Sequence, residues 1–228
     1  MLREVSDIIY MALKSWRVYH FHDTSATAPA RRLEIVEDDD YLRPDASNIG
    51  AYLRRIRNNH PAAYRKIVAT IRTVMPFFDD FLLRTRQHGA RKLIGIDWLQ
   101  KGSDYPMQPY HLSDGSLRFI CLATALLQPD LPATLVIDEP ELGLHPFALS
   151  VLADLIKATA GKTQIIISTQ SPSLLDHFSP DDVIVVERSE GSSSFKRLDS
   201  TALSVWLDEY SLGDMYEQNI VQAGPSYE

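Results

Sequence analysis

Cysteine is nearly absent from this 228-residue chain, Cys121 being the only one. A single cysteine excludes an internal disulfide, which fits a reducing compartment and leads us to expect a cytoplasmic protein. Cys121 sits in an apolar run and reads as a small buried hydrophobe rather than a reactive thiol. Long hydrophobic runs are missing too: none approaches the roughly 20 residues that span a bilayer, so no membrane association is expected. The N-terminal residues, Met1–Leu2–Arg3–Glu4–Val5–Ser6–Asp7, contain no basic region leading into an apolar stretch, which excludes the pattern of a secretory signal. What remains is an ordinary globular composition, 45% apolar and 23% charged, long enough for one or two domains.

Acidic residues are scarce in one region only. The net charge is −7, which argues against a protein that coats nucleic acid through bulk charge. From Arg54 to Lys92, however, ten basic residues face only Asp79 and Asp80. That stretch carries +8 and the remainder −15. Such asymmetry marks either a surface facing a polyanion such as DNA or solvated helix faces that pair with acidic neighbours.

The first half of the chain reads as short strands and helices. Residues 15–22 and 32–36 are strand candidates, and 91–99 is another. A helix starts near Ile49 with Ser47 or Asn48 as its cap, and His60–Pro61 ends it. A longer helix spans about 62–74, and Phe77, Phe78, Phe81 and Leu82 form an apolar knot. The second half alternates regularly: helix 115–128, strand 133–138, helix 146–160, strand 163–168, helix 172–178 and strand 183–188. Phe195–Leu198 returns as a hairpin strand after the Gly191–Ser194 turn. Alternation of this kind predicts a parallel α/β architecture. The unbroken runs Val136–Ile137 and Ile165–Ile167 are those of central strands covered on both faces.

Chemistry concentrates where those strands end. Leu135–Val136–Ile137–Asp138–Glu139–Pro140 is a buried strand closing on two adjacent carboxylates. In α/β sheets, ligands bind at that edge. One carboxylate there can hold Mg²⁺ and the next can orient and deprotonate water, as phosphoryl transfer requires; alone, the pair could equally be two solvated acids. Upstream, Leu112–Ser113–Asp114–Gly115–Ser116–Leu117–Arg118 opens an apolar helix whose N-terminus suits an anion or is simply capped by Ser113. Downstream, Glu141–Leu142–Gly143–Leu144–His145–Pro146 leads into the next helix. The strand after that ends in Thr169–Gln170–Ser171–Pro172, beside the acid pair.

In this order, LSDGS, TLVIDEPELGLHP and IIISTQSP resemble the ABC-type ATPases of the RecF/SMC-related group. The likeness is greatest to AAA-family ATPases near the ATPase part of the OLD nucleases. WRVYHFHD from Trp16, NIGAYL from Asn48, PFFDDF from Pro76 and DDVIVVER from Asp181 extend the resemblance to nearly the whole chain. It implies a three-layer, P-loop NTPase-like α/β fold that retains the helical lobe and lacks the N-terminal phosphate-loop lobe. Strands and the helical, signature-side lobe would occupy 1–105. The signature helix, Walker B strand, the loop after it, the switch strand and a C-terminal tail would occupy 106–228. The resemblance further implies ATP and Mg²⁺ as cofactors. Ser113 and Gly115 would contact the γ-phosphate of ATP on a partner subunit, Asp138 would hold Mg²⁺, Glu139 would be the catalytic base, and Glu141–His145 would meet the partner. Gln170 would take the switch position, where many relatives carry His. The partner would be a second copy or a complementary ATPase chain, and the family's work on DNA points to repair or anti-phage defence, with Arg54–Lys92 as the DNA-facing region.

The phosphate loop itself, G-x-x-x-x-G-K-[ST] between a strand and a helix, is lacking. Gly161–Lys162–Thr163 is the near-match, but Ile156 stands where the first glycine belongs, and the tripeptide follows a helix instead of a strand. Gly161 reads as a helix C-terminal glycine, and the glutamine loop that follows the phosphate loop in the family is expected to be absent with it. An alternative is therefore a catalytically inactive interaction or dimerisation module that keeps the fold. A transporter ATPase subunit is disfavoured, since no helical coupling region is recognisable. A metal-dependent hydrolase would use His20 and His22, on one face of a short strand, with Asp23; no further ligand cluster accompanies them. Trp206, Leu207, Tyr210 and Leu212 read as a packing tail.

Overall fold

The computed structural model describes residues 12–189 and 191–221, together with Asp7 and Tyr10. It divides into two compact units, Met1–Ser168 and Thr169–Glu228.

The first unit is built on three parallel strands: β1 (Arg17–Tyr19), β8 (Thr134–Asp138) and β9 (Gln164–Ser168), in the order β1-β8-β9. Two small antiparallel sheets lie between β1 and β8 in sequence. One is ordered β2-β5-β4, from Glu34–Ile35, Arg91–Ile94 and Arg86–His88; the other is β3-β6-β7, from Phe78–Leu82, Asp97–Gln100 and Pro106–Met107. The helices are α1 (Ile49–Asn59), α2 (Pro61–Val74), α3 (Asp114–Leu127) and α4 (Pro146–Ala160). α3 is the core of this unit: every residue from Leu117 to Leu127 is buried, α2 and α4 pack against it, and α4 reaches β9. A helix that is apolar nearly all round is expected to be enclosed in this way.

The continuous strand expected over 91–99 is two strands in two different sheets. The cause is Gly95: Gly50 of α1 packs so closely on it that a Cβ on Gly50 would lie 2.9 Å from the Gly95 carbonyl carbon, and the chain changes sheets there. Asn48 stands at the cap position of α1 without a side-chain cap bond. It is fully buried, and its amide donates to the carbonyls of Asp38 and Tyr41, both at 2.8 Å, while its oxygen accepts from the Arg43 amide. Asn48 therefore staples the 38–43 loop instead of capping the helix. Cys121 is buried, and loss of water pushes its thiol up to about 12, an inert packing residue as read from the sequence.

β8 and β9 are not clad on both faces, as the apolar runs suggested. Val18, Val136 and Ile166 stand side by side in register, with Val18 41% and Ile166 47% exposed. On the opposite face, Tyr19, Leu135 and Ile137 are at most 1% exposed. Unbroken hydrophobicity marks a strand that can be buried twice, and the described residues supply only one covering layer.

The second unit contains α5 (Pro172–Leu175), β10 (Ile184–Ser189), β11 (Ser192–Arg197), α6 (Ser204–Leu207) and α7 (Leu212–Glu217). β10 does not continue a parallel sheet; Gly191, with φ +77°, returns the chain directly as an antiparallel hairpin with β11. A core of Val185, Leu198, Leu212, Met215 and Val221 holds the unit, with Tyr210 packed against it. Trp206 and Leu207 of the expected packing tail stay largely exposed.

Candidate functional site

Side chains alternate along a strand, so residues in register share a face. Asp138 pairs with Ser168 at the C-terminal end of the sheet, on the same face as Val136 and Ile166. His20, one residue past the Tyr19–Ile137 pair, falls on that face as well. The three meet: the Ser168 hydroxyl donates to Asp138 Oδ1, and His20 Nδ1 lies 3.7 Å from Oδ2. His22, two residues on, brings Nε2 to 3.6 Å from the same oxygen and 3.0 Å from the Asp138 carbonyl. Asp23, the third member of the sequence-based metal set, is turned away, accepting from the Ser25 amide and hydroxyl. Those two bonds hold its carboxyl below the usual range. Asp138 replaces it as the acid facing the two imidazoles.

Glu139 leaves the strand with φ +41°, a left-handed conformation that costs a non-glycine residue about 1–3 kcal/mol and is concentrated at functional sites. Its amide donates to the Ser168 carbonyl at 2.9 Å. The turn sets two consecutive carboxylates at one strand end, both half-buried. Ser113 caps α3: its oxygen accepts from the Ser116 amide at 3.1 Å and its hydroxyl donates to the Ser116 hydroxyl at 2.8 Å. Gly115, in the first turn, lies so close to the Gly143 carbonyl that any Cβ would collide with it. Gly143 has φ +70°, so two glycines join the start of α3 to the loop after Glu139. His145 caps α4, accepting from the Phe147 amide. Gln170 follows β9 directly, exposed, at the start of the second unit.

Two residues without a role in the sequence reading hold this region together. Arg118, 7% exposed, donates to the carbonyls of Phe21 and His22, both at 2.9 Å, and to that of Leu142. It thus fixes the strand end carrying the two histidines, the loop after the acid pair and α3 to one another, and burial lowers the pKa of its guanidinium. Arg31, equally buried, donates to four carbonyls from Thr24 to Leu112 and pairs with Asp114 at 3.0 Å. An arginine inside an apolar helix, as Arg118 is, was the available signal: a buried guanidinium requires several acceptors, and loop carbonyls supply them.

Asp138 and Ser168 offer oxygen donors of the kind a hard divalent cation takes, but among the described residues no group of three His, Cys, Asp or Glu side chains is arranged to hold a metal ion. A cavity of about 290 Å³, lined by Arg17, Tyr52, Arg55 and Gln128 among others, opens near the N-terminal ends of β1 and β8 and is separate from the acid pair. Among the described residues, no helix is long and apolar enough to cross a membrane.

A structure of the SmcHead bound to the C-winged helix domain of ScpA aligns with a TM-score of 0.55 at 17% identity, covering 82% of this chain and 57% of that one. An Smc head domain from Pyrococcus furiosus aligns at 0.49 and 18%, covering 72% of this chain and 44% of its own. A chain from work on ATP-driven dimerization and DNA-stimulated activation of SMC ATPases aligns at 0.46 and 18%, covering 69% and 96%. The chain thus spans little more than half of the SmcHead whose fold it shares. No curated protein matches. The family model described as "AAA domain, putative AbiEii toxin, Type IV TA system" matches residues 12–176. With that match over most of its length, the chain belongs to this AAA-domain family, and its fold is that of the SmcHead.

Proposed function

We propose that this chain supplies the hydrolytic half of an ATPase centre completed by a phosphate-gripping element that its own sequence lacks. The observation that carries the reading is the end of β8, where Asp138 and Glu139 stand together beside the neighbouring strand ends. In this reading Asp138 holds Mg²⁺, which when bound neutralises phosphate charge. Glu139 accepts the proton of the attacking water. Ser113 and Gly115 face the γ-phosphate of ATP on a partner, and Gln170 takes the switch position. The bare face bearing Val18, Val136 and Ile166 supports a missing layer, since a parallel sheet is normally covered on both sides. Leu142 and Phe147, 41% and 53% exposed in and beside the loop after the acid pair, support contact with a second copy or a complementary ATPase chain there.

The test is steady-state ATP turnover by the chain alone and by Glu139→Gln. The isolated chain is expected to turn over little ATP. Rapid turnover that Glu139→Gln abolishes would refute the need for a completing element, whereas turnover unaffected by Glu139→Gln would refute the role of Glu139. A non-catalytic dimerisation module is the second reading, favoured by the absent phosphate loop; it predicts self-association that ATP does not change.

A role on DNA, in repair or anti-phage defence, is part of the proposal. The family's description names a toxin of a toxin–antitoxin system, which supports defence. Within Arg54–Lys92, Arg55, Arg72 and Arg86 are engaged by Asp40, Asp79 and Asp97. Arg65, Lys66, Arg84, Arg91 and Lys92 are exposed and carry the DNA reading. Affinity for duplex DNA that falls steeply with salt would support it.

A further inference from the structure

We propose that the β4-β5 hairpin is the element by which this chain holds DNA, entering the major groove of a duplex tip first with Arg84, Arg91 and Lys92 against its phosphates. This rests on the reading of Arg54–Lys92 as the DNA-facing region and specifies which element makes the contact and which form of nucleic acid it takes.

The hairpin projects from its sheet as a bare ribbon. β2 pairs only with Leu93 and Ile94, the residues of β5 farthest from the turn. Beyond them, Gln87 stands opposite Lys92 and His88 opposite Arg91, with no third strand beside them among the described residues. Every residue from Arg84 to Lys92 is exposed. Gly89, at φ +59°, closes the turn, and a Cβ there would meet nothing within 4 Å. A two-stranded ribbon that buries no apolar side chain gains little stability of its own, so packing does not explain the residues it carries.

Those residues are of one sign. Arg84, Arg86, Arg91 and Lys92 lie in this stretch and no acid does. Asp97 takes Arg86, but the ion pairs among the described residues leave Arg84, Arg91 and Lys92 without a carboxylate. The acidic run Glu37–Asp40 follows β2, at the edge of the sheet opposite β4, where Arg43 and Arg55 take Asp38 and Asp40. Residues directly opposite one another share a face, so Arg91 lies on one face of the ribbon with Arg86, and Lys92 on the other. An element held between two phosphate walls needs cations on both faces. With its side chains a strand layer is about 10 Å thick, and the major groove of B-DNA is about 12 Å wide. The major groove of A-form RNA is deep and narrow, and a single strand has no groove, so the ribbon fits duplex DNA.

The experiment titrates a labelled mixed-sequence DNA duplex with the whole chain over a salt series, read by fluorescence anisotropy. Each phosphate neutralised adds about 0.9 to the slope of log affinity against log salt. Circular dichroism checks that each variant folds. Arg84→Gln, Arg91→Gln and Lys92→Gln should each flatten the slope by about 0.9, and the three together by about 2.7. Arg65→Gln combined with Lys66→Gln, exposed on α2 in the same basic stretch, should leave the slope unchanged. An RNA duplex of the same sequence and the separated DNA strands should bind about tenfold or more weakly. Slopes unchanged by the hairpin variants would overturn the inference; if the α2 pair then flattens the slope, the DNA reading of the basic stretch stands without it. An α2 pair that flattens the slope as much as the hairpin substitutions would also overturn it, in favour of a diffuse basic surface. RNA duplex or single strands held as tightly as the DNA duplex would overturn groove entry and the inference with it. No binding of the duplex even at low salt would overturn both the inference and the DNA reading.

Discussion

The two faces of the β1-β8-β9 sheet carry equally apolar residues and meet opposite fates. Tyr19, Leu135 and Ile137 are sealed, whereas Val18 and Ile166 are nearly half exposed. The bare face also carries His20, Asp138 and Ser168 at its upper edge. Chemistry and unpaired hydrophobic surface therefore share one side of the sheet, while the packed side serves stability. A sheet that the described residues clad on one face only supports the proposal that the catalytic assembly is finished by another layer.

That contrast can be broken by substitution. The largest effect is expected on the sealed face: Ile137→Ala should destabilise by about 3 kcal/mol through lost burial and the cavity left behind, read by denaturant unfolding. If it costs less than Ile166→Ala, the faces are wrongly assigned. Arg118→Ala should cost about 2–3 kcal/mol, because three carbonyls lose their donor; it should also loosen the histidine strand end, visible as faster amide exchange at residues 20–23. Gly115→Ala should cost about 1–2 kcal/mol by forcing the start of α3 away from the Gly143 carbonyl. Glu139→Gly should go the other way, stabilising by about 1 kcal/mol as the left-handed strain is relieved, while removing the carboxylate proposed as base. The smallest effect belongs to the bare face: Ile166→Thr should change stability by less than about 0.5 kcal/mol. Should a completing partner be found, the same substitution should weaken its binding more than it alters the chain's own stability.

The second half of the first unit was readable because its elements announce themselves locally. The apolar α3, the β8 run and the proline-started α4 have periods and caps that neighbours do not override. The region before it was less legible. Strands of two to five residues carry too few alternations to show where one sheet ends and another begins, so the change at Gly95 passed unread. Asn48 looked like a cap because its residue type is one; its buried contacts come from a loop ten residues upstream, which no local pattern reports. The alternation of His20 and His22 was visible, but pairing them with the adjacent Asp23 followed sequence proximity. The strand register brings in Asp138 from 116 residues away.

The sequence by itself determined the order of motifs, the existence of the acid pair at a strand end, the lack of a phosphate-loop motif within these 228 residues and the parallel α/β class. Each of these lies in local composition and spacing. Only the tertiary structure decided which groups face Asp138, that Gly115 is pressed on the loop after Glu139, that two buried arginines tie the site together, and that one face of the sheet stays partly exposed among the described residues. Those facts depend on which distant segments the packing of α3 and the register of three strands place side by side, and a chain read in one dimension carries no distance between residues 22, 118 and 138.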